Sequence, residues 1–295
     1  MLEHIVTADE AGKRVREVLR QVMGVSYTAM KSAKWDGRIL VNDAPARADR
    51  FLACGDRVAM LPAEDAPVYQ LKPYPLTLSI PYLDDDVMVI DKPAPLASQS
   101  SARYPDDSLE NAVYAFLGCP SDFVYRPVNR LDKGTSGLMV VARSAHAQHR
   151  LQQQLHTPDF CRTYLAVTDG VPEPLSGIID APIAKIAEAS VRRVISPDGK
   201  PSVTHSEVLE STGAHALVRL VLETGRTHQI RVHLSSIGCP VTGDFLYGTE
   251  IPELAGRFAL HSAEVTFAHP LTGAVIHLES PLPASVRSLL DGSPR

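Results

Sequence analysis

Apolar residues recur along the chain with two periods. Val15, Val18, Leu19 and Val22 follow the i, i+3, i+4, i+7 spacing of an amphipathic helix over Lys13–Met23, and Gly24 stands where that helix would end. Ser26 suits the N-cap of a second short helix reaching about Asp36. Strand-like runs follow at Arg38–Asn42 and Arg57–Leu61, the first closed by an Asn42-Asp43 turn. Further on, Val87–Ile90 and Leu138–Ala142 are short apolar runs that read as buried strands, and Phe160–Gly170 and Ala216–Glu223 read as longer ones. Two more helices are expected. One begins at Ser144, with Ala147, Leu151 and Leu155 on one face. The other carries Ile230, Leu234 and Ile237 on its apolar face and ends at Gly238. On that second helix Arg231 falls off the apolar face and, by pattern alone, reads as a surface arginine.

Pro62 to Pro75 is rich in proline, alanine and acidic residues and reads as a linker. The expected organisation is a small domain over residues 1–62, a linker at 63–75 and a larger domain at 76–295. The length of 295 residues suits that division. Alternation of strands and helices points to an α/β or α+β fold.

Composition narrows the function classes. No apolar run is long enough to span a membrane, and Met1-Leu2-Glu3-His4 lacks the basic and apolar regions of a signal peptide. Cys54, Cys119, Cys161 and Cys239 are scattered and form no CxxC pair, which argues for a reducing, cytoplasmic setting without a disulfide or zinc framework. The net charge is −5, but it is unevenly spread. Residues 1–62 hold ten Lys or Arg against eight Asp or Glu, a balance of +2, which leaves −7 for the rest. Lys31, Lys34 and Arg38 cluster on and after the second helix; a solvated helix face is the commoner reading of such a cluster.

Chemistry is carried by a few stretches. Asp132 lies on a polar loop just before the turn Gly134–Gly137 and the buried run that follows, a placement in which rigid scaffolds hold reactive side chains. His146 and His149 are three apart on a helix without a third ligand nearby, and His228 and His233 lie roughly 140° apart around theirs, so neither pair makes a metal site. Pro197–Ser202 lacks the Gly and Ser/Thr of a phosphate-binding loop, and no GxGxxG occurs; no nucleotide cofactor is expected.

Taken whole, Arg130-Leu131-Asp132-Lys133-Gly134-Thr135-Ser136-Gly137-Leu138 resembles the signature of RluA-type pseudouridine synthases. Asn129 stands where many members carry His. Three further stretches are similar to that family. Val87–Pro93 resembles its first motif, with Pro95 and Gln99-Ser100 departing from it. Tyr164 matches a Lys/Arg-x-Tyr-x-Ala motif, and the third stretch is "GRTHQIRVHLSSIGCPVTGD". Residues 1–62, two short helices followed by "GRILVND…GDRVAM", resemble the RNA-binding domain named after the fourth small-subunit ribosomal protein.

The resemblance implies a catalytic domain on a mixed, mostly antiparallel sheet with a central cleft, preceded by a small α+β RNA-binding domain. It implies isomerisation of uridine in RNA to pseudouridine with no cofactor or metal. Asp132 is implied as the essential carboxylate, with Arg231 as its basic partner and Tyr164 stacking on a flipped base. Arg130 and Asn129 are expected near the RNA at the active site, and Lys31, Lys34 and Arg38 on the small domain. Lys92 and Pro93 are expected to be structural. RNA is the expected partner, ribosomal rather than transfer RNA, and a monomer is expected. A transfer RNA enzyme and a non-catalytic RNA-binding assembly factor are the alternatives. Whether Asp132 attacks uracil, attacks ribose or removes a ribose proton is open.

Overall fold

The computed structural model describes residues 2–25, 30–31, 33–34, 37–61, 71–155, 157–187 and 190–291. The chain divides into two compact units, Met1–Gln70 and Leu71–Arg295.

The smaller unit holds a four-stranded sheet of β1 (Leu2–Ile5), β2 (Ile39–Val41), β3 (Ala44–Pro45) and β4 (Arg57–Met60), in the order β1-β4-β2-β3. Asn42 and Asp43 both have left-handed backbones, φ 53° and 64°, which is what a two-residue hairpin between β2 and β3 demands. The amphipathic segment is shorter than its pattern suggested. Helix α1 (Val15–Glu17) continues into a wider, π-type turn, Val18–Val22. Val15, Val18 and Leu19 pack against Ile39, Val41 and Val58, but the widened turn carries Val22 off that face and leaves it 39% exposed. The Ser26 cap and Asp36, the expected ends of the second helix, lie outside the described residues. Lys31 and Lys34 are helical and exposed. Strand β1 escaped sequence reading: four residues of mixed polarity become a strand only by pairing with β4.

The stretch expected to link the domains falls mostly outside the described residues. Its end belongs to the larger unit, where Tyr74 donates its backbone N–H to Asn111 and packs with Leu76 on the core.

The larger unit is built on a nine-stranded sheet. It contains β5 (Ser79–Leu83), β6 (Val87–Lys92), β7 (Ser136–Ala142), β8 (Cys161–Asp169), β9 (Ser176–Asp180), β12 (Val203–Ser211), β13 (His215–Leu222), β14 (Leu260–Ala268) and β15 (Val275–Glu279). The order is β5-β6-β7-β14-β8-β13-β12-β9, with β15 on β14. β7 and β14 run parallel and the other neighbours antiparallel, so the sheet is mixed and mostly antiparallel, as the resemblance implied. β10 (Ile183–Lys185) and β11 (Arg193–Ile195) form a separate hairpin-like pair.

Both faces of β7 are covered, which is why Leu138–Ala142 reads as continuously apolar. Met139 and Val141 face one core with α2 (Leu109–Phe116), α4 (Gln229–Ser236) and α5 (Ala284–Arg287). Leu138, Val140 and Ala142 face another with α3 (Ala145–Gln154), Phe160 and Phe267. Gly137 has φ 105°, and a Cβ there would lie 2.3 Å from the Ser262 carbonyl oxygen, so only glycine lets β7 meet β14 at this point. Among the described residues no helix is long and apolar enough to cross a membrane.

Candidate active site

The loop before β7 is held by backbone and side-chain bonds. Val128 N–H donates to the Val140 carbonyl, and the Asn129 Oδ1 accepts the Val140 N–H at 2.8 Å. Ser98 Oγ donates to the Leu131 carbonyl at 2.6 Å, and Leu96 N–H donates to that of Lys133. Lys92, fully buried, donates from Nζ to the Leu96 carbonyl at 2.8 Å and reaches that of Lys133 at 3.5 Å. Burial pushes its ammonium down to about 7, partly countered by Asp132. The weakly matching first motif therefore clasps the loop that presents Asp132. Asn129 is buried and spends its carbonyl oxygen on β7, which fixes the loop, while its Nδ2 is buried without a hydrogen-bond partner among the described residues.

Asp132 meets Arg231 across the cleft. Arg231 Nη1 donates to Asp132 Oδ2 at 2.8 Å, while Nε and Nη2 grip Asp244 in a fork of 2.6 and 2.8 Å. The expectation of a surface arginine fails. Arg231 is 3% exposed, because the aromatic residues Phe258, Tyr247 and Phe245 wrap its guanidinium, with the Phe258 centroid 4.1 Å away. Burial opposes its charge, but Asp244 and Asp132 outweigh burial and raise its pKa. Asp244, wholly buried, also accepts the Leu246 and Tyr247 N–H groups.

His228 stands beside this pair, its Nε2 3.8 Å from Asp132 Oδ2. The Tyr247 hydroxyl accepts the Arg193 N–H at 2.8 Å and lies 2.9 Å from His228 Nδ1. Burial lowers the His228 pKa, so the neutral ring is favoured.

Asp132, Asn129, Arg130, Arg162, Tyr164, Arg226 and His228 line one cavity of about 790 Å³, within the range that holds small ligands. A recess of about 60 Å³ adjoins it through Asp132, Tyr164 and His228 and adds Arg231 and Leu260. Tyr164 is 5% exposed, and burial raises its phenol pKa, keeping it protonated at neutral pH. Arg130 is exposed, with a long contact of 3.5 Å to Gln99. The structure thus brings Asp132, Tyr164, Arg231, Arg130 and Asn129 together from three separated stretches. Lys31, Lys34 and Arg38 belong to the smaller unit; Arg38 donates to the Leu61 carbonyl.

His146 and His149 are exposed on α3. Among the described residues, Asp84, Asp86 and His269 have metal-ligand spacing, but Asp84 is occupied by Tyr82, His269 and two backbone N–H groups, and none of the three lines the cavity. Sequence reading missed Arg162, Asp244, Tyr247 and the bearing of His228. Asp244 and His228 lay inside the matched third stretch, and Arg162 is the basic residue of the motif that contains Tyr164; periodicity marked none of them.

Residues 86–236 match the family model described as RNA pseudouridylate synthase. The chain is 36% identical over 291 residues to an uncharacterized RNA pseudouridine synthase of Mycobacterium bovis, covering 95% of this chain and 94% of that one. It is 36% identical over 304 residues to ribosomal large subunit pseudouridine synthase D of Neisseria meningitidis, covering 97% and 80%. Among solved structures, human RNA pseudouridylate synthase domain containing 4 superposes with a TM-score of 0.57 at 26% identity, covering 74% of this chain and 95% of that one.

Proposed function

Because the chain belongs to the RNA pseudouridylate synthase family and is an RNA pseudouridine synthase, we propose that its substrate is large-subunit ribosomal RNA and that Asp132 is its catalytic carboxylate. Support for the RNA class comes from relatives named as large-subunit enzymes, 36% identical over nearly the whole chain. Support for Asp132 comes from one observation: it is the partly exposed carboxylate, 27% by side chain, held at 2.8 Å by an arginine that is itself fixed by a second, wholly buried carboxylate.

The reaction exchanges bonds within one nucleotide. The C1′–N1 bond of uridine breaks, uracil turns, C5 bonds to C1′, a proton leaves C5 and N1 gains one. No electron or atom is imported. The target base leaves its stack to reach the cavity. Asp132 acts on the nucleotide as nucleophile or base, and Arg231 keeps one carboxylate oxygen fixed while the other faces the cavity. Tyr164 offers a ring face to the base, and its hydroxyl helps in the removal of the C5 proton. Arg130, at the cavity rim, meets the RNA or the space the base vacates. Lys31, Lys34 and Arg38 of the smaller unit add RNA affinity.

Release of tritium from uridine C5 tests this reading, with large-subunit ribosomal RNA and transfer RNA supplied separately to the native protein and to Asp132→Asn. Release from ribosomal RNA by the native protein, and none by the variant, is expected. Release from transfer RNA alone would overturn the substrate, and normal release by the variant would overturn the role of Asp132.

A further inference from the structure

Strand β8 puts Arg162 and Tyr164 two residues apart, hence on one face of the sheet, and both line the cavity that holds Asp132. The four cavity arginines differ in what holds them. Arg231 is shared by Asp132 and Asp244. Arg226 donates to the Pro201 carbonyl and Arg130 leans toward Gln99. Arg162 is 6% exposed, and its Nε is buried without a hydrogen-bond partner. Among the described residues no carboxylate pairs with it, and its contact is the Phe160 ring, 5.8 Å from guanidinium carbon to centroid. Its terminal nitrogens lie under the backbone of Gly225, where an added Cβ would come within 3.4 Å of Nη1.

A buried guanidinium without an anion is a costly arrangement, since desolvation is uncompensated. It persists in natural sites where a ligand brings the missing charge. Uracil is neutral and cannot bring it; the phosphodiester that joins the target nucleotide to its neighbour can, and its oxygens match the guanidinium fork. We propose that Arg162 is the seat of one backbone phosphate flanking the target uridine, holding the flipped nucleotide with its base toward Tyr164 and its ribose toward Asp132. Arg162 is then a binding and positioning residue, distinct from Asp132 in taking no part in bond exchange. The proposal rests on the RNA reading above.

A chemical double-mutant cycle tests it. The RNA is a fragment of the substrate carrying the target uridine, made with all phosphates native or with one neutral methylphosphonate on either side of that uridine. Affinity and turnover are measured for the native protein and for Arg162→Gln, with Arg162→Lys as a second variant. For native RNA, Arg162→Gln is expected to weaken binding about tenfold or more, the size of a charge-assisted contact, with turnover at saturation changed far less. The salt dependence of binding should become shallower by about 0.7 in log–log slope, one single-strand phosphate contact. At one of the two methylphosphonate positions the penalty of the variant should shrink to about twofold or less, and Arg162→Lys should recover part of the loss on native RNA.

Equal penalties on all three RNAs would overturn the proposal and leave Arg162 as a reader of base or sugar. Unchanged affinity in Arg162→Gln would overturn it outright. Thermal unfolding separates a folding defect: the proposal expects a melting temperature no lower in Arg162→Gln than in the native protein, because the substitution removes an uncompensated charge. A large fall in melting temperature would instead make Arg162 a structural residue. Binding is read apart from turnover, so a native protein that binds RNA in this pattern without isomerising it would refute the functional reading and leave the phosphate seat standing.

Discussion

Arg231 and Arg162 are 3% and 6% exposed and reach the same cleft, yet they are surrounded in opposite ways. Around Arg231 the guanidinium nitrogens Nε, Nη1 and Nη2 all donate to carboxylates, the second carboxylate is capped by two backbone N–H groups, and Tyr247 ties the neighbouring His228 to the Arg193 backbone. Around Arg162 the described residues supply an aromatic ring and a glycine backbone and no anion. Under the proposed function the difference separates two tasks within one site. Groups that must hold a reacting atom are satisfied in advance, so that no reorganisation accompanies the chemistry. Groups that must capture substrate are left wanting what substrate carries.

Breaking the satisfied side should cost the fold most. Asp244→Asn leaves the buried Arg231 charge half paired, and a loss of about 3–5 kcal/mol of stability is expected, read by denaturant unfolding, with turnover falling alongside. If the variant kept native stability, the Asp244 fork would not be the anchor of the site. Next in size, Asn129→Ala strands the buried Val140 N–H and should cost about 1–3 kcal/mol, with a matching loss of Asp132 positioning visible in the rate at saturating RNA.

Acid should weaken the same satisfied interior. Burial lowers the pKa of His228, His233 and His261 below the ordinary 6.5. Below about pH 6.5 the unfolded chain takes up protons that the folded chain still refuses, so stability is full above that pH and is lost as pH falls through it. Unfolding curves between pH 7.5 and 5.5 should show that slope, and His233→Gln should flatten it. Stability that rose on acidification would contradict the burial of these rings. Tyr247→Phe, smaller again, removes the hydroxyl between His228 Nδ1 and the Arg193 N–H, and about 1 kcal/mol of stability should go in denaturant unfolding. On the receptive side, Arg130→Gln should leave stability within about 0.5 kcal/mol, the usual range of a surface change, while RNA affinity falls; a larger loss of stability would mean that Arg130 is part of the framework.

Much of this site was legible before the structure. Asp132, Tyr164 and Arg231 stand in stretches that resemble a known family, and the buried strand Leu138–Ala142 and the helices after Ser144 and through Ile230 and Leu234 follow from periodicity. Periodicity alone misplaced Val22 and missed the burial of Arg231, for a shared reason. A period assumes uniform winding and an inside that is apolar; a π-type turn breaks the first at Val22, and a carboxylate brought from thirteen residues away breaks the second at Arg231. Lys92 was expected to be structural, but the groups that it and Ser98 hold on the Asp132 loop were invisible because they are backbone carbonyls, which carry no residue identity.

The sequence by itself determined the strongly periodic and continuously apolar segments, such as Leu138–Ala142 and the helix after Ser144, because these depend on local propensity, and the ordered run Arg130–Leu138 marked Asp132 by resemblance. Only the tertiary structure decided that Asp244 answers Arg231 while, among the described residues, no carboxylate pairs with Arg162. The fold brings Asp132 and Arg231, 99 residues apart, to 2.8 Å, and whether a buried charge is paired depends on what arrives beside it from elsewhere in the chain, which no local pattern records.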